Sequence, residues 1–186
     1  SSLNTWEPGF CAVYHLNNFL DATAYHNDGA NIGSTSASGF LGVGLGRQFN
    51  GTSRITVPRS NLLEPSNSLT VSLWMRRNGP QYDWATPVWY SLNDVDPYGP
   101  YGFEFNNSSD NELGFHIGNG TSFRYASTGT TISDNTWYLL TGTYDGSNDR
   151  IYINGAPIAS ILIACPIGQY GSIGLTRNRT GIHRIP

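Results

Sequence analysis

The sequence contains no lysine, and all ten of its basic residues are arginine. Charged residues make up 12% of the chain, well below the usual share of about 25%, and the formal net charge is −3. No run of basic residues occurs, which argues against a nucleic acid partner, because phosphate backbones are bound by clustered Arg or Lys. The polar groups of the surface must come from Asn, Ser, Thr, Gly and Tyr. That composition is common among extracellular β-proteins that face carbohydrate.

Long apolar runs are also absent. No 18-residue apolar run occurs, so we expect no transmembrane helix and no membrane insertion. The first ten residues, SSLNTWEPGF, lack the basic and apolar regions of a secretory signal peptide, as in a mature, processed chain. A hydrophobic content of 38% with 13% aromatics is sufficient for a packed core, and the length of 186 residues suits one domain over residues 1–186.

Cysteine is scarce, with only Cys11 and Cys165 near opposite ends of the chain. One interpretation is two buried thiols. The other is a disulfide that joins an N-terminal strand to a C-terminal one. Both flanking sequences, FCAVYHL and IACPIG, are typical of buried strands, where a thiol is inert, so a catalytic cysteine is not expected.

Helical periodicity is almost absent, and short alternating segments recur between Gly, Asn, Asp, Ser and Pro. Examples are RITVP, LTVSLWMRR, YGFEFNN, ELGFHIGN, TWYLLTGTYD and RIYING. Short strands at this spacing predict an all-β sandwich or barrel. Asn50-Gly51 predicts a hairpin turn between strands at 47–49 and 53–57, at the edge of the domain.

The middle segments separate into an apolar and a polar face when they are read with the period of a strand. The apolar faces predict a core that contains Phe49, Val71, Leu73, Phe103, Phe105, Phe115 and Ile117. The polar faces predict one exposed surface that carries Trp89, Glu104, Asn106, Glu112, His116 and Arg124. Any sheet with one face in water has such a surface. It also suits a sugar, because aromatic rings stack on sugar C–H groups and polar side chains bond hydroxyls.

Two loops rich in Gly and Pro add further aromatic residues, Trp84, Tyr98 and Tyr101. Exposed aromatic area is unfavourable unless the ring packs or binds a ligand. The candidate ligand-binding residues are therefore Trp84, Trp89, Tyr98, Tyr101, Glu104, His116 and Arg124. Two loop acids, Asp94 and Asp96, are candidate calcium ligands, although loop acids are often only solvated. A second oxygen-rich loop contains Asp21, Asp28 and Asn31.

Five segments follow one another in an order that resembles a known family. They are VYHLNN (13–18), DATAYHNDGAN (21–31), GLGRQFNGTSRITVP (44–58), SLTVSLWMRR (68–77) and NTWYLLTGTYDGSNDRIYINGAPI (135–158). The family is the bacterial laminin-G-like, concanavalin A-like jelly roll, and the resemblance implies a two-sheet antiparallel sandwich.

Two departures from the family pattern affect these expectations. Family members usually end in a strand such as I-D-E-V-R-I-Y, whereas this chain ends in TGIHRIP. The resemblance therefore implies that the last strand position is empty or completed by a neighbouring chain. In related jelly rolls the acid of that strand often helps hold a structural calcium ion. A calcium site in this chain would therefore lack one of the usual ligands. Asn18 also stands where the family often has Glu, a better cation ligand.

We expect a non-catalytic recognition module, extracellular or at the cell surface, that binds a polysaccharide or another glycan or acts in adhesion. A glycoside hydrolase is an alternative, since Glu104 and Glu112 would supply the two carboxylates, with His116 nearby. The E-x-D-x-x-E strand of related glucanases is absent, as are G-x-S-x-G, H-E-x-x-H and P-loop motifs. A structural subunit of a filament or particle is the other alternative, with a neighbouring chain completing the sheet.

Overall fold

The structure is a computed structural model that describes residues 6–64, 67–79, 84–90, 100–105, 112–118, 122–162 and 180–183. At positions 123, 130, 162 and 180–183 it describes only the backbone. The strands of these regions, in chain order, are β1 Ala30–Ile32, β2 Thr35–Ser38, β3 Leu45–Gln48, β4 Arg54–Val57, β5 Leu69–Arg76, β6 Val88–Tyr90, β7 Tyr101–Phe105, β8 Glu112–Gly118, β9 Phe123–Thr131, β10 Trp137–Tyr144, β11 Asn148–Ile153, β12 Ala156–Leu162 and β13 Thr180–His183. Two short 3₁₀ helices span Phe40–Gly42 and Asn61–Leu63. No helix of the length and apolarity that a membrane crossing requires occurs in the described part of the chain.

The strands pair antiparallel in three sheets. The large sheet has seven strands in the order β1-β4-β13-β6-β7-β8-β9, and the small sheet has four in the order β12-β11-β10-β5. Strands β2 and β3 form a separate pair. The predicted meander of the middle strands is present, because β6, β7, β8 and β9 are neighbours in the large sheet.

The core lies between the seven-stranded and the four-stranded sheets. Phe103, Phe105, Phe115 and Ile117 of the large sheet are buried there against residues of the small sheet such as Met75, Leu140, Tyr144 and Ile151. Val71 and Leu73 pack at the border of this cluster. Phe49 lies outside it and is half-buried. The predicted all-β, two-sheet jelly roll is confirmed, as is most of its predicted core.

The expectation of an empty last strand position is wrong. Strand β13 lies between β4 and β6, and it pairs with both of them. TGIH, the segment that departs from the family pattern, therefore supplies a central strand of the large sheet. Because the position is filled from within the chain, the structural basis for a strand-completing neighbour disappears.

The predicted hairpin at Asn50-Gly51 is also wrong, although the turn itself is present. Gly51 has a φ of 85°, and the Asn50 side chain accepts hydrogen bonds from the backbone N–H groups of Thr52 and Ser53. However, β3 pairs with β2, whereas β4 pairs with β1 and β13 in the interior of the large sheet. The turn thus passes the chain from one sheet to another, because local turn chemistry does not specify which strands pair.

Candidate ligand-binding face

The outer face of the seven-stranded sheet is the one turned away from the four-stranded sheet. Strand pairing aligns Trp89 of β6, Gly102 of β7, His116 of β8 and Tyr125 of β9 in one row across the sheet. Their chain neighbours Phe103, Phe115 and Ala126 lie in the core, so the row faces outward. Glu104 belongs to the next outward row, which it shares with Gly114. We call Trp89, Glu104, His116 and Tyr125 the outer-face cluster.

Glycine at two positions allows the rings of this cluster to lie close to the sheet. A Cβ on Gly102 would lie 2.6 Å from the Val88 carbonyl oxygen and 3.2 Å from ring atoms of both Trp89 and His116. The Trp89 and His116 rings approach over this strand to a centroid distance of 4.5 Å.

The second glycine lies under the ring of Tyr125. A Cβ on Gly114 would lie 2.1 Å from the Tyr125 Cζ atom, so the tyrosine ring occupies the space that a larger residue would need. The Tyr125 hydroxyl donates a hydrogen bond of 2.9 Å to the Glu104 carbonyl oxygen. This bond fixes the ring across β8 and against β7.

The acid of the cluster is buried. Glu104 is 8% exposed, and burial raises the pKa of its carboxyl to about 7. The Glu104 Oε2 atom lies 4.0 Å from Nδ1 of His116, which is 1% exposed. At neutral pH the Glu104 carboxyl is therefore present in both protonation states, and it can donate or accept a hydrogen bond.

Tyr125 lies close to two carboxyl groups. Burial and then the charges of Glu104 and Glu112 raise the pKa of the Tyr125 hydroxyl, which stays protonated at neutral pH. Glu112 Oε1 accepts a 3.0 Å hydrogen bond from the backbone N–H of Gly129, beside an irregularity in the pairing of β8 with β9. Glu112 thus has a structural role at that irregularity.

The predicted exposed polar surface needs two corrections. Glu104 and His116 are buried and not exposed, because neighbouring rings fill the space above the glycines. The face assignment of β9 is wrong as well. Arg124 pairs with Ile117 and lies on the same side of β9 as the buried Ala126, the side that faces the core. The Arg124 side chain itself is exposed.

The sequence reasoning therefore missed Tyr125. The core residue of β9 is alanine, which is too small to mark the buried face, so the sequence pattern places Arg124 and not Tyr125 on the polar face. Pairing with β8 was the available signal, since a residue opposite His116 must share its face.

Tyr101, another predicted ligand residue, is placed as a packing residue. It lies on the core side of β7, where its ring stacks on Tyr90 at 5.1 Å and its hydroxyl donates to the Leu63 carbonyl oxygen at 3.0 Å. The Tyr90 hydroxyl in turn donates to Glu64, which also forms an ion pair with Arg59. These contacts join the 3₁₀ helix at Asn61–Leu63 to the large sheet.

Trp84 is 57% exposed and has a φ of 62°, next to the buried Ala85. Its ring has no aromatic contact among the described residues, and its role as a ligand residue stays a prediction. Tyr98, Asp94 and Asp96 lie outside the described residues, and their roles stay predictions.

The two cysteines are not both described by the structure. Cys11 is half-buried, whereas Cys165 lies outside the described residues, so the disulfide stays a prediction.

The oxygen-rich loop around Asp21 is organised by hydrogen bonds. Its carboxylate accepts bonds from the backbone N–H groups of Val13, Thr23 and Asn27 and from the Thr23 hydroxyl. Burial raises the pKa of Asp21, but these bonds outweigh burial and hold it below its usual value. In the described regions no three His, Cys, Asp or Glu side chains are grouped to hold a metal ion. Structural calcium stays a prediction.

Comparison with known proteins identifies proteins that are similar to this chain in sequence or in fold. A family model described as the concanavalin A-like lectin/glucanases superfamily matches residues 49–172. Domain 4 of AbnA, a GH43 extracellular arabinanase from Geobacillus stearothermophilus solved in complex with arabinotriose, is 20% identical, with a TM-score of 0.64, over 82% of this chain and 74% of that chain. The carbohydrate-binding module CBM66 from Bacillus subtilis is 14% identical, with a TM-score of 0.43, over 82% and 84%. No curated protein sequence matches significantly.

Proposed function

This chain belongs to the concanavalin A-like lectin/glucanases superfamily, and from that premise we propose that it is a non-catalytic module that binds carbohydrate outside the cell. The observation that carries the proposal is the outer-face cluster, in which Trp89 and Tyr125 lie beside the buried Glu104 and His116. Aromatic rings and fixed polar groups on one face of a sheet are the groups that recognise a sugar.

The cluster suits a neutral sugar because its polar groups are already oriented. A sugar can contact the half-buried rings of Trp89 and Tyr125 and the accessible edge of the Glu104 carboxyl, whereas His116 is fully buried and supports the Trp89 ring from behind. Burial already restricts Glu104, so little of its side-chain freedom remains to be lost when a ligand binds. Sugar hydroxyls both donate and accept hydrogen bonds, and a carboxyl with a pKa of about 7 can match either role. The arabinanase domain with the same fold, which was solved with arabinotriose, supports this choice of ligand class.

A glycoside hydrolase is the second candidate, and the raised pKa of Glu104 favours it, because a general acid needs a pKa near the working pH. The predicted partner Glu112 argues against it, since its carboxylate accepts a bond from the Gly129 backbone. A catalytic carboxylate must instead be free to act at the sugar.

A glycan array combined with a hydrolysis screen tests the proposed function. The protein is applied to neutral oligosaccharides, arabino-oligosaccharides among them, and incubated in parallel with chromogenic glycosides. We expect binding to at least one oligosaccharide and no release of chromophore. Hydrolysis by the native protein that is lost in Glu104→Gln would establish the enzyme and overturn the binding module. Absence of binding to every glycan would also contradict it.

A further inference from the structure

The loop that joins β2 to β3 presents an exposed apolar surface beside the four-stranded sheet. Residues 39–46 have the sequence GFLGVGLG, which contains no polar side chain. Leu41 and Val43 are each 78% exposed, and Leu45 is half exposed. We call these three residues the aliphatic tip. A contiguous exposed apolar surface of this kind marks an interaction site more often than a single exposed Leu does.

Aromatic contacts hold this loop against the small sheet. Phe40 stacks on Trp74 of β5, with ring centroids 4.0 Å apart and an interplanar angle of 20°. Phe40 also meets Trp137 of β10 edge-on at 6.2 Å. Phe40 and Trp74 both remain exposed. The aliphatic tip therefore adjoins aromatic rings that are partly in water.

The backbone holds the tip outward in an unfavourable conformation. Leu41 has a φ of 54° and a ψ of 24°, the left-handed region that a branched side chain rarely adopts. Hydrogen bonds from the N–H of Gly42 to the Gly39 oxygen and from the N–H of Val43 to the Phe40 oxygen close the loop around it. The fold thus holds Leu41 in a position that is unfavourable in two ways. Its apolar side chain lies in water, and its backbone is in the left-handed region. Strain of this sort points to a function.

Among the described residues, Arg76 is the uncompensated charge near this surface, because the neighbouring Arg77 forms an ion pair with Asp134. Arg76 of β5 is exposed and its guanidinium lies 5.4 Å from the Trp137 ring centroid. It has no carboxylate partner within the described part of the chain. Residues 29–63 contain no Asp or Glu, and neither do β5 and β10. A negatively charged surface is therefore complementary to the Arg76 side of the patch.

We propose that this surface docks on an anionic lipid surface as a peripheral contact, with the aliphatic tip at the boundary between headgroups and acyl chains and no segment crossing the bilayer. Trp74 and Trp137 suit the interface, where one side of a ring is apolar and the other is wet. Arg76 lies beside them to meet a lipid phosphate. A second copy of the chain fits less well, because a stable protein interface involves about 20–30 residues on each side. This patch consists of Phe40, Leu41, Val43, Leu45, Trp74, Arg76 and Trp137.

Vesicle co-sedimentation tests this proposal. The native protein is mixed with vesicles of three parts phosphatidylcholine to one part phosphatidylglycerol, and with vesicles of phosphatidylcholine alone. The double variant Leu41→Asn with Val43→Ser removes the tip, and asparagine tolerates the left-handed backbone at position 41. We expect the double variant to lose about tenfold or more in partitioning. Arg76→Gln should weaken binding to the anionic vesicles and leave binding to the neutral ones unchanged.

The matched control is Ile158→Ser, which changes an apolar residue that is 41% exposed on β12, the opposite edge strand of the same sheet. It should bind vesicles like the native protein, and all variants should keep the native circular dichroism spectrum. The proposal is overturned if the native protein fails to sediment with vesicles, or if the double variant sediments equally well. Dimers in sedimentation velocity that disappear in the double variant, without vesicle binding, would instead assign the surface to self-association.

Discussion

Asp149 is a carboxyl group that lies fully buried between the two sheets. It belongs to β11 and pairs with Tyr144 of β10. Burial raises the pKa of Asp149 to about 8, and the nearby backbone N–H groups of Ala126 and Arg150 offset this only in part. Among the described residues, neither carboxyl oxygen has a hydrogen bond of normal geometry. An acid in such a place destabilises the fold when it ionises.

Replacing this acid should stabilise the protein at and above neutral pH. The folded pKa of about 8 lies above the ordinary value of 3.8, so between them the folded state binds more protons than the unfolded state. The contribution of Asp149 to the free energy of unfolding therefore falls as pH rises from about 4 to 8. Asp149→Asn should remove this contribution to the pH dependence, and it should raise the free energy of unfolding by about 2–4 kcal/mol at pH 8. Urea unfolding between pH 4 and pH 9 measures both effects.

Asp145, an exposed acid in the same β10–β11 hairpin, provides the control of opposite sign. Its carboxylate accepts bonds from the backbone N–H groups of Asn148 and Ser147 and from Arg150, which hold its pKa well below its usual value. Asp145→Asn should therefore lower stability at neutral pH and have less effect in acid. A similar pH profile for both variants would contradict the assignment of Asp149 as the destabilising group.

Two aromatic residues test the division between core and ligand contact. Phe103 is fully buried, so Phe103→Ala should lower the free energy of unfolding by about 3–5 kcal/mol. Trp84 is mostly exposed, so Trp84→Ala should change it by only about 0.5 kcal/mol. If Trp84 contacts the ligand, its removal should weaken binding by about 1–3 kcal/mol. Melting curves with and without ligand measure these effects, and equal melting of the two variants would make Trp84 a packing residue.

Strands β7 and β8 depend on their outward-facing glycines, and Gly114 allows a test of that dependence. A methyl group there would overlap the Tyr125 ring, so Gly114→Ala should cost about 1–3 kcal/mol of stability. In a Tyr125→Ala background the same change should cost much less, because the overlap is gone. Urea unfolding of the four proteins completes this double-mutant cycle. An equal cost in both backgrounds would show that the glycine is needed for another reason.

The elements that the sequence predicts well are those with strong alternation. In β7 and β8, phenylalanine and leucine alternate with glycine and polar residues, and this pattern alone predicts that Phe103 and Phe115 are buried. In β9 the buried residue is Ala126, whose side chain is too small to mark a face. Partners of strands were less predictable, since β13 pairs with β4 across a long separation in sequence. The buried state of Glu104 likewise depends on Tyr125, which only the pairing reveals.

The predicted disulfide between Cys11 and Cys165 concerns the whole molecule, because it would join the two ends of the sequence. If the protein is secreted, Cys11 and Cys165 should form a disulfide that stabilises the fold by about 2–4 kcal/mol, mainly by constraining the unfolded chain. Titration of thiols in the denatured, unreduced protein should then find none. Two reactive thiols would show that the cysteines are unpaired.

We place glycan binding on the outer face of the seven-stranded sheet, and a matched pair of tryptophan variants tests this claim. Trp89 lies in the outer-face cluster, whereas Trp74 lies on the small sheet under Phe40. Isothermal titration with the oligosaccharide found on the array should show Trp89→Ala weakened by about 10–100-fold in Kd and Trp74→Ala unchanged. Native affinity in Trp89→Ala, with binding lost in Trp74→Ala, would contradict the claim.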